Sequence, residues 1–142
     1  METIFSLSSV PVLPFWLLMI FAPRWDLTKR IIQSPLVIVP PALLYSILVV
    51  PQLLELLPIL ANPNLNSILG LLSTPQGATI AWVHFLAFDL FVGRWVFLDN
   101  FEQRFHVVAI GIILFLILMF GPLGFLLYLG LRYFFGKPLK AV

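Results

Sequence analysis

Three ionisable side chains, His84, Asp89 and Arg94, stand five residues apart in a mostly apolar stretch, residues 78–98. A hydrocarbon core about 30 Å thick needs about 20 helical residues at ~1.5 Å each. On that scale Asp89 lies near the midplane, with His84 and Arg94 roughly 7.5 Å to either side. Ionisable groups at such depth cost at least ~2.5–3.5 kcal/mol each unless paired or hydrated. The chemistry to be expected is proton transfer. A carboxyl in apolar surroundings favours its neutral form, so Asp89 can serve as a proton donor or acceptor. Its competing role is a helix–helix hydrogen bond or a counter-ion to Arg94. His84 is a base or an interhelical donor. Arg94, toward the span end, can snorkel and clamp Asp89 or Asp99. Five residues turn a helix by about 140° beyond one full turn, so the three groups spiral. Their partners must come from other spans, where Tyr45, Ser46, Glu55 and Tyr128 are the candidates. Asp89, His84 and Arg94 are the catalytic candidates.

A second polar set, Asp99, Glu102 and His106, recurs at i, i+3 and i+7. Metal binding needs such oxygen and nitrogen donors, but this pattern more often marks a solvated turn, and no metal or cofactor is expected. With no cysteine in the chain, disulfides, thiolate metal sites and cysteine nucleophiles are excluded. The motifs of soluble enzymes, phosphate loop, nucleophile elbow and HExxH among them, are absent from the sequence.

The elements that must hold these residues are membrane helices. Of 142 residues 61% are hydrophobic and only 10% charged, too few charges to cover a soluble domain. Mean hydropathy is +1.09. The net charge of +2 comes from Lys and Arg near span ends, and no basic, aromatic-interleaved patch suits nucleic acid. The expected fold is all-α, a four-transmembrane-helix bundle with Pro-kinked helices. It forms one multi-pass domain, residues 1–142, with spans near 4–22, 31–50, 78–98 and 107–133. Residues 99–104 form a tight polar connector between the last two spans, and residues 62–77 a loop. Pro122, flanked by Gly121 and Gly124, predicts a mid-membrane kink in the last span. With four spans the positive charges nearly balance, and the weight of Arg24, Lys29 and Arg30 in the first loop places both termini away from the cytoplasm. The start, METIFSLSSV, lacks a basic n-region or an Arg- and Ser-rich leader, which favours a bacterial source.

The core Trp82-Val-His84-Phe-Leu-Ala-Phe-Asp89-Leu-Phe-Val-Gly-Arg94, followed by Asp99 and by the FGPLG that includes Gly121 and Pro122, resembles the neoxanthin synthase-like family, related to the abscisic acid-deficient protein of plants. FWLLMIFAPRW, from Phe15 to Trp25, is similar too, so the resemblance covers essentially the whole chain. It implies a small multi-span membrane protein, needed in plants to form neoxanthin from violaxanthin, here a bacterial or cyanobacterial member in a plasma or thylakoid membrane. It implies a carotenoid- or xanthophyll-like lipid as ligand, with Trp82, Gly121 and Pro122 as substrate-binding candidates. Opening a 5,6-epoxide to an allene needs an acid at the epoxide oxygen and a base at the neighbouring vinylic carbon, roles that suit Asp89 and His84. The alternative is a non-catalytic assembly or scaffold subunit whose polar core only fixes packing. The expected partners are the bilayer, the carotenoid-like lipid, and a protein partner or second copy.

Overall fold

The computed structural model describes residues 1–137, and they are all α-helical or connecting. The chain begins with α1 (Glu2–Ser8) and α2 (Leu13–Phe21), separated near Pro11. Together they make a 20-residue apolar unit, Glu2–Phe21. Instead of the expected kink, the chain breaks here and resumes with Pro14 in the first turn of α2, where its missing N–H costs nothing. Then comes α3 (Asp26–Gln33), followed by a 3₁₀ turn, Pro35–Ile38, and α4 (Val39–Val49). A second 3₁₀ turn, Val50–Gln52, leads into α5 (Leu53–Ala61). Pro35–Ala61 thus forms the second long apolar unit, reaching further than residue 50. The segment expected as a loop contains α6 (Leu65–Leu72), whose N-cap Asn64 side chain accepts the Ser67 N–H at 2.9 Å.

The longest helix, α7 (Pro75–Gln103), spans 29 residues, about 43 Å. Thr74 caps it, accepting the Gly77 N–H at 3.0 Å, with Pro75 in the first turn. At its far end the polar residues 99–103 remain helical rather than forming a connector. Arg104 turns left-handed at φ 59°, and the Asn100 carboxamide accepts the Phe105 N–H at 2.9 Å. His106 then caps α8 (Val107–Phe120), its Nδ1 accepting the Val108 N–H at 3.3 Å.

The four-span bundle is not what forms. Three units, Glu2–Phe21, Pro35–Ala61 and Pro75–Gln103, are long and apolar enough to cross a membrane; the expected fourth is two shorter helices, α8 and α9 (Pro122–Phe135). Each has 14 residues, about 21 Å against the ~30 Å of a hydrocarbon core. The break is at Gly121, whose φ of +23° favours glycine, followed by Pro122, which has no N–H to continue the ladder. Gly124 lies against the backbone of Leu116 and Ile117, where a continuous helix would separate residues 117 and 124 by about 10 Å. The chain therefore reverses rather than bends. Tyr128 meets Phe105 at 6.4 Å between ring centres, and the Lys137 N–H donates to Gln103 Oε1 at 2.7 Å. So α8 and α9 form a re-entrant hairpin, its tip beside the middle of α7 and both its ends at the Gln103 end. The C-terminal end of the described chain thereby lies across the bundle from Met1, which lines a cleft with Pro75. The expectation that both ends share one side is thus corrected for the described residues, Met1 and Lys137 lying at opposite ends. Lys140 lies outside the described residues.

The core sits where α2, α7, α8 and α9 meet and includes Trp16, Met19, Leu90, Leu114, Ile117 and Tyr128. A smaller cluster, Leu48, Ile80 and Val83, joins α4 to α7. Many large apolar side chains point outward, among them Phe85, Phe88, Phe115 and Phe120, as befits a protein whose solvent is hydrocarbon. Gly93 gives α2 its close approach: a Cβ there would run into the Trp16 ring, itself 1% exposed. We expect Gly93→Ala to overpack this contact and cost about 1–3 kcal/mol, read as a lowered unfolding temperature in detergent. An unchanged temperature would mean that Trp16 has room to move.

Candidate functional site

Residues 82, 85, 86 and 89 recur at helical spacing, so one face of α7 presents Trp82, Phe85, Leu86 and Asp89 together. The hairpin tip supplies the opposite wall with Leu118, Met119, Phe120, Gly121 and Pro122. Between them lies a groove of about 400 Å³, open to the side of the bundle. Four of the six expected site residues, Trp82, Asp89, Gly121 and Pro122, are brought together here. Asp89 is half-buried, and its Oδ1 occupies the place a Cβ on Gly121 would take. Among the described residues its carboxyl has no hydrogen-bond partner. It faces the end of the hairpin where α9 begins. The first N–H groups of a helix have no intrahelical acceptor, and its N-terminus carries about half a positive charge. At this tip the carbonyl end of α8 and the N–H end of α9 meet at Gly121, so the two helix dipoles oppose each other, and the Asp89 carboxyl faces a groove otherwise lined by apolar and aromatic side chains. The Trp82 ring meets that of Phe5 at 5.5 Å between centres, tilted by 35°, which ties the groove's edge to α1.

His84 and Arg94 are elsewhere. The His84 ring stacks on Phe88 at 4.7 Å and meets Tyr45 of α4 at 5.3 Å. It packs between helices on a different face of α7 from Asp89, as the spiral predicts. Arg94 donates through Nε to the Ile32 carbonyl at 2.7 Å and through Nη2 to the Gln33 carbonyl at 2.6 Å. These are C-terminal carbonyls of α3, left without intrahelical donors, so the guanidinium caps that helix and clamps it to α7. Arg94 does not reach Asp89 or Asp99.

The partner of Asp99 is one the sequence does not announce. Arg132 donates to it at 2.7 Å from Nε and 3.2 Å from Nη2, and the Tyr128 hydroxyl donates at 2.5 Å. Tyr128 and Arg132 stand at i and i+4 on α9, a detectable signal that gains meaning only once α9 folds back along α7. Of the i, i+3, i+7 set, Asp99 lies in this pair and His106 caps α8. Among the described residues no three His, Asp or Glu side chains come together as a metal set.

The lateral groove beside a re-entrant tip and the sequence around Asp89 meet in one comparison: residues 3–128 match the model of the ABA DEFICIENT 4-like family. The chain belongs to that family. The match includes both walls of the groove and the Asp99–Tyr128 contact. The chain is similar to Protein ABA DEFICIENT 4, chloroplastic, of Arabidopsis thaliana, at 29% identity over 132 residues, covering 87% of this chain and 57% of that protein. It thus spans somewhat more than half the length of the curated relative it matches. No solved structure matches it. As an ABA DEFICIENT 4-like protein with three long apolar units, it is a multi-pass integral membrane protein.

Proposed function

We propose that this family member binds a carotenoid- or xanthophyll-like lipid in the groove between α7 and the hairpin tip, and that Asp89 acts on it as an acid/base group. The reading treats the chain as one multi-pass domain. The observation that carries it is the Asp89 carboxyl, half-buried at the middle of α7 and facing an apolar lateral groove at the Gly121–Pro122 tip. A polyene is rigid and about as long as the ~30 Å hydrocarbon thickness, so with one end group at mid-depth it must leave the open side of the groove obliquely, its length lying in the surrounding lipid. Aromatic walls suit the polyene and the lone carboxyl suits an oxygenated end group.

For an epoxide end group the step balances as an isomerisation. The Asp89 carboxyl gives its proton to the epoxide oxygen as one ring C–O bond breaks. A proton leaves the neighbouring vinylic carbon, and its electron pair becomes the second C=C of an allene. That proton restores the carboxyl, so nothing is consumed. Because His84 lies on another face, the reading assigns both transfers to Asp89 and leaves His84 and Arg94 to position α4 and α3. A plasma or thylakoid membrane containing such pigments is the setting it implies.

Absorption spectroscopy of gently purified protein tests the binding half, with retained, resolved polyene bands expected. Asp89→Asn tests the chemistry: it keeps shape and hydrogen-bonding capacity but has no transferable acid proton. The variant should accumulate normally and retain pigment, while conversion falls by at least about 10²-fold, the scale of a lost general acid or base. Full conversion by folded Asp89→Asn would end the acid/base assignment. A stable, pigment-free protein would instead favour an assembly subunit.

A further inference from the structure

Once α8 and α9 reverse, the charges of the chain segregate. Arg24, Lys29 and Arg30 flank or lie in α3, and Arg94 is bonded to its C-terminal carbonyls. Arg104 ends α7, Arg132 pairs with Asp99, and Lys137 donates through Nζ to the Glu102 carbonyl at 2.9 Å. Every Lys and Arg of the described residues is therefore at one end of the bundle. The opposite end, with Met1, α5, α6 and the start of α7, holds Glu2 and Glu55 and no Lys or Arg. Such asymmetry places the cationic end on the cytoplasmic side, where anionic lipids are enriched.

This end also holds a cavity of about 170 Å³ where α2, α3, α7 and α8 meet, with Arg24 and Lys29 on its wall. The rest is mostly apolar, including Met19, Phe97, Val107 and Ile110. Arg24 has no hydrogen bond or ion pair among the described residues, and it also borders a neighbouring surface groove with Trp25 and His106. Lys29 has a 3.7 Å contact with Asp26, whose side chain is 91% exposed, and lies 5.7 Å from the Phe101 ring centre. An exposed pair of that kind holds a lysine weakly and leaves it free for a better anion. Cations at the rim and hydrocarbon behind match a lipid with an acidic head and apolar tails.

We propose that this cavity seats the headgroup of an anionic membrane lipid, bound by Arg24 and Lys29, with the adjoining chain running along the apolar wall. The site is separate from the Asp89 groove and does not depend on what that groove binds. The test is native mass spectrometry of the full chain in detergent micelles, supplied with equal phosphatidylglycerol and phosphatidylcholine. The expected result is selective retention of one phosphatidylglycerol. The variants Arg24→Gln and Lys29→Gln should each lower that retention about fivefold, a typical contribution of one cation near an anionic lipid. Arg104→Gln, at the same end but off the cavity wall, should leave it unchanged. Equal retention of both lipids by the unaltered protein would overturn the site without relying on any variant. So would an equal loss in Arg104→Gln, or displacement of the lipid by inorganic phosphate alone.

Discussion

Gly121→Ala is expected to lower the stability of the protein by about 2–4 kcal/mol and to open the hairpin tip. Two separate costs contribute. The backbone at Gly121, φ +23° and ψ −86°, lies where an L side chain is strained, at about 1–2 kcal/mol. The new Cβ would also meet Asp89 Oδ1, so the carboxyl must move or the tip must shift. A double-mutant cycle separates these costs. Asp89→Ala removes the atoms in the way, so the pair Asp89→Ala/Gly121→Ala should recover the contact part and keep the conformational part. Unfolding in detergent, followed by far-ultraviolet circular dichroism, reads both. If Gly121→Ala unfolds like the unaltered protein, the reversal does not depend on this residue. Pigment retention should fall with stability, because Gly121 and Pro122 form one wall of the groove.

The location of the candidate site was legible in the sequence, and its architecture only in part. Asp89 stands out because a midplane carboxyl is costly in any fold, whatever surrounds it. Trp82 shares its helix face, and the Gly121–Pro122 pair marks an interrupted helix by residue type alone. What a sequence of this kind does not fix is how far an interruption turns the chain. Glycine followed by proline permits a modest bend or a complete reversal, and hydropathy sums to a full span either way. The choice rests on long-range contacts: Gly124 against Ile117, and the Asp99 pair that draws Arg132 back to the end of α7. Taken as one crossing, α8 and α9 conceal the charge asymmetry, because Arg132 and Lys137 then fall at the opposite end. Residues 99–104 are ambiguous for a related reason. Polar composition suggests a connector, yet Asp99 is polar because it receives Arg132 and Tyr128, and Asn100 because it closes the helix end. His84 was legible as an unusual residue; its packing against Tyr45 follows from the path of α4, which five prolines between residues 35 and 58 make hard to trace.

Arg132→Ala is expected to cost about 3 kcal/mol, toward the lower end for a buried ion pair because the site lies near the end of α7. The arginine and aspartate side chains are only 11% and 15% exposed, so loss of the guanidinium leaves a poorly solvated carboxylate with the Tyr128 hydroxyl as its remaining side-chain donor. Tyr128→Phe removes one hydrogen bond to a charged acceptor and should cost less, about 1.5–3 kcal/mol. Asp99→Ala removes the carboxylate itself but strands Arg132 and the buried tyrosine, so its effect should resemble that of Arg132→Ala. Combining Asp99→Ala with Arg132→Ala should cost clearly less than the two single losses added, because the second change removes the charge left unpaired by the first. Strict additivity would show that the pair contributes nothing as a pair. Position gives the contact its second consequence. It fastens α9 to α7 near the membrane boundary, while the groove lies at the other end of α9, about 15 Å away along ten helical residues. Because the chain has no native cysteine, one spin label on α7 and one on α9 report their separation directly. In Arg132→Ala the distance distribution should broaden at the Gln103 end first. Broadening confined to the Gly121 tip would show that the groove wall is held by local turn geometry rather than by the Asp99 contact.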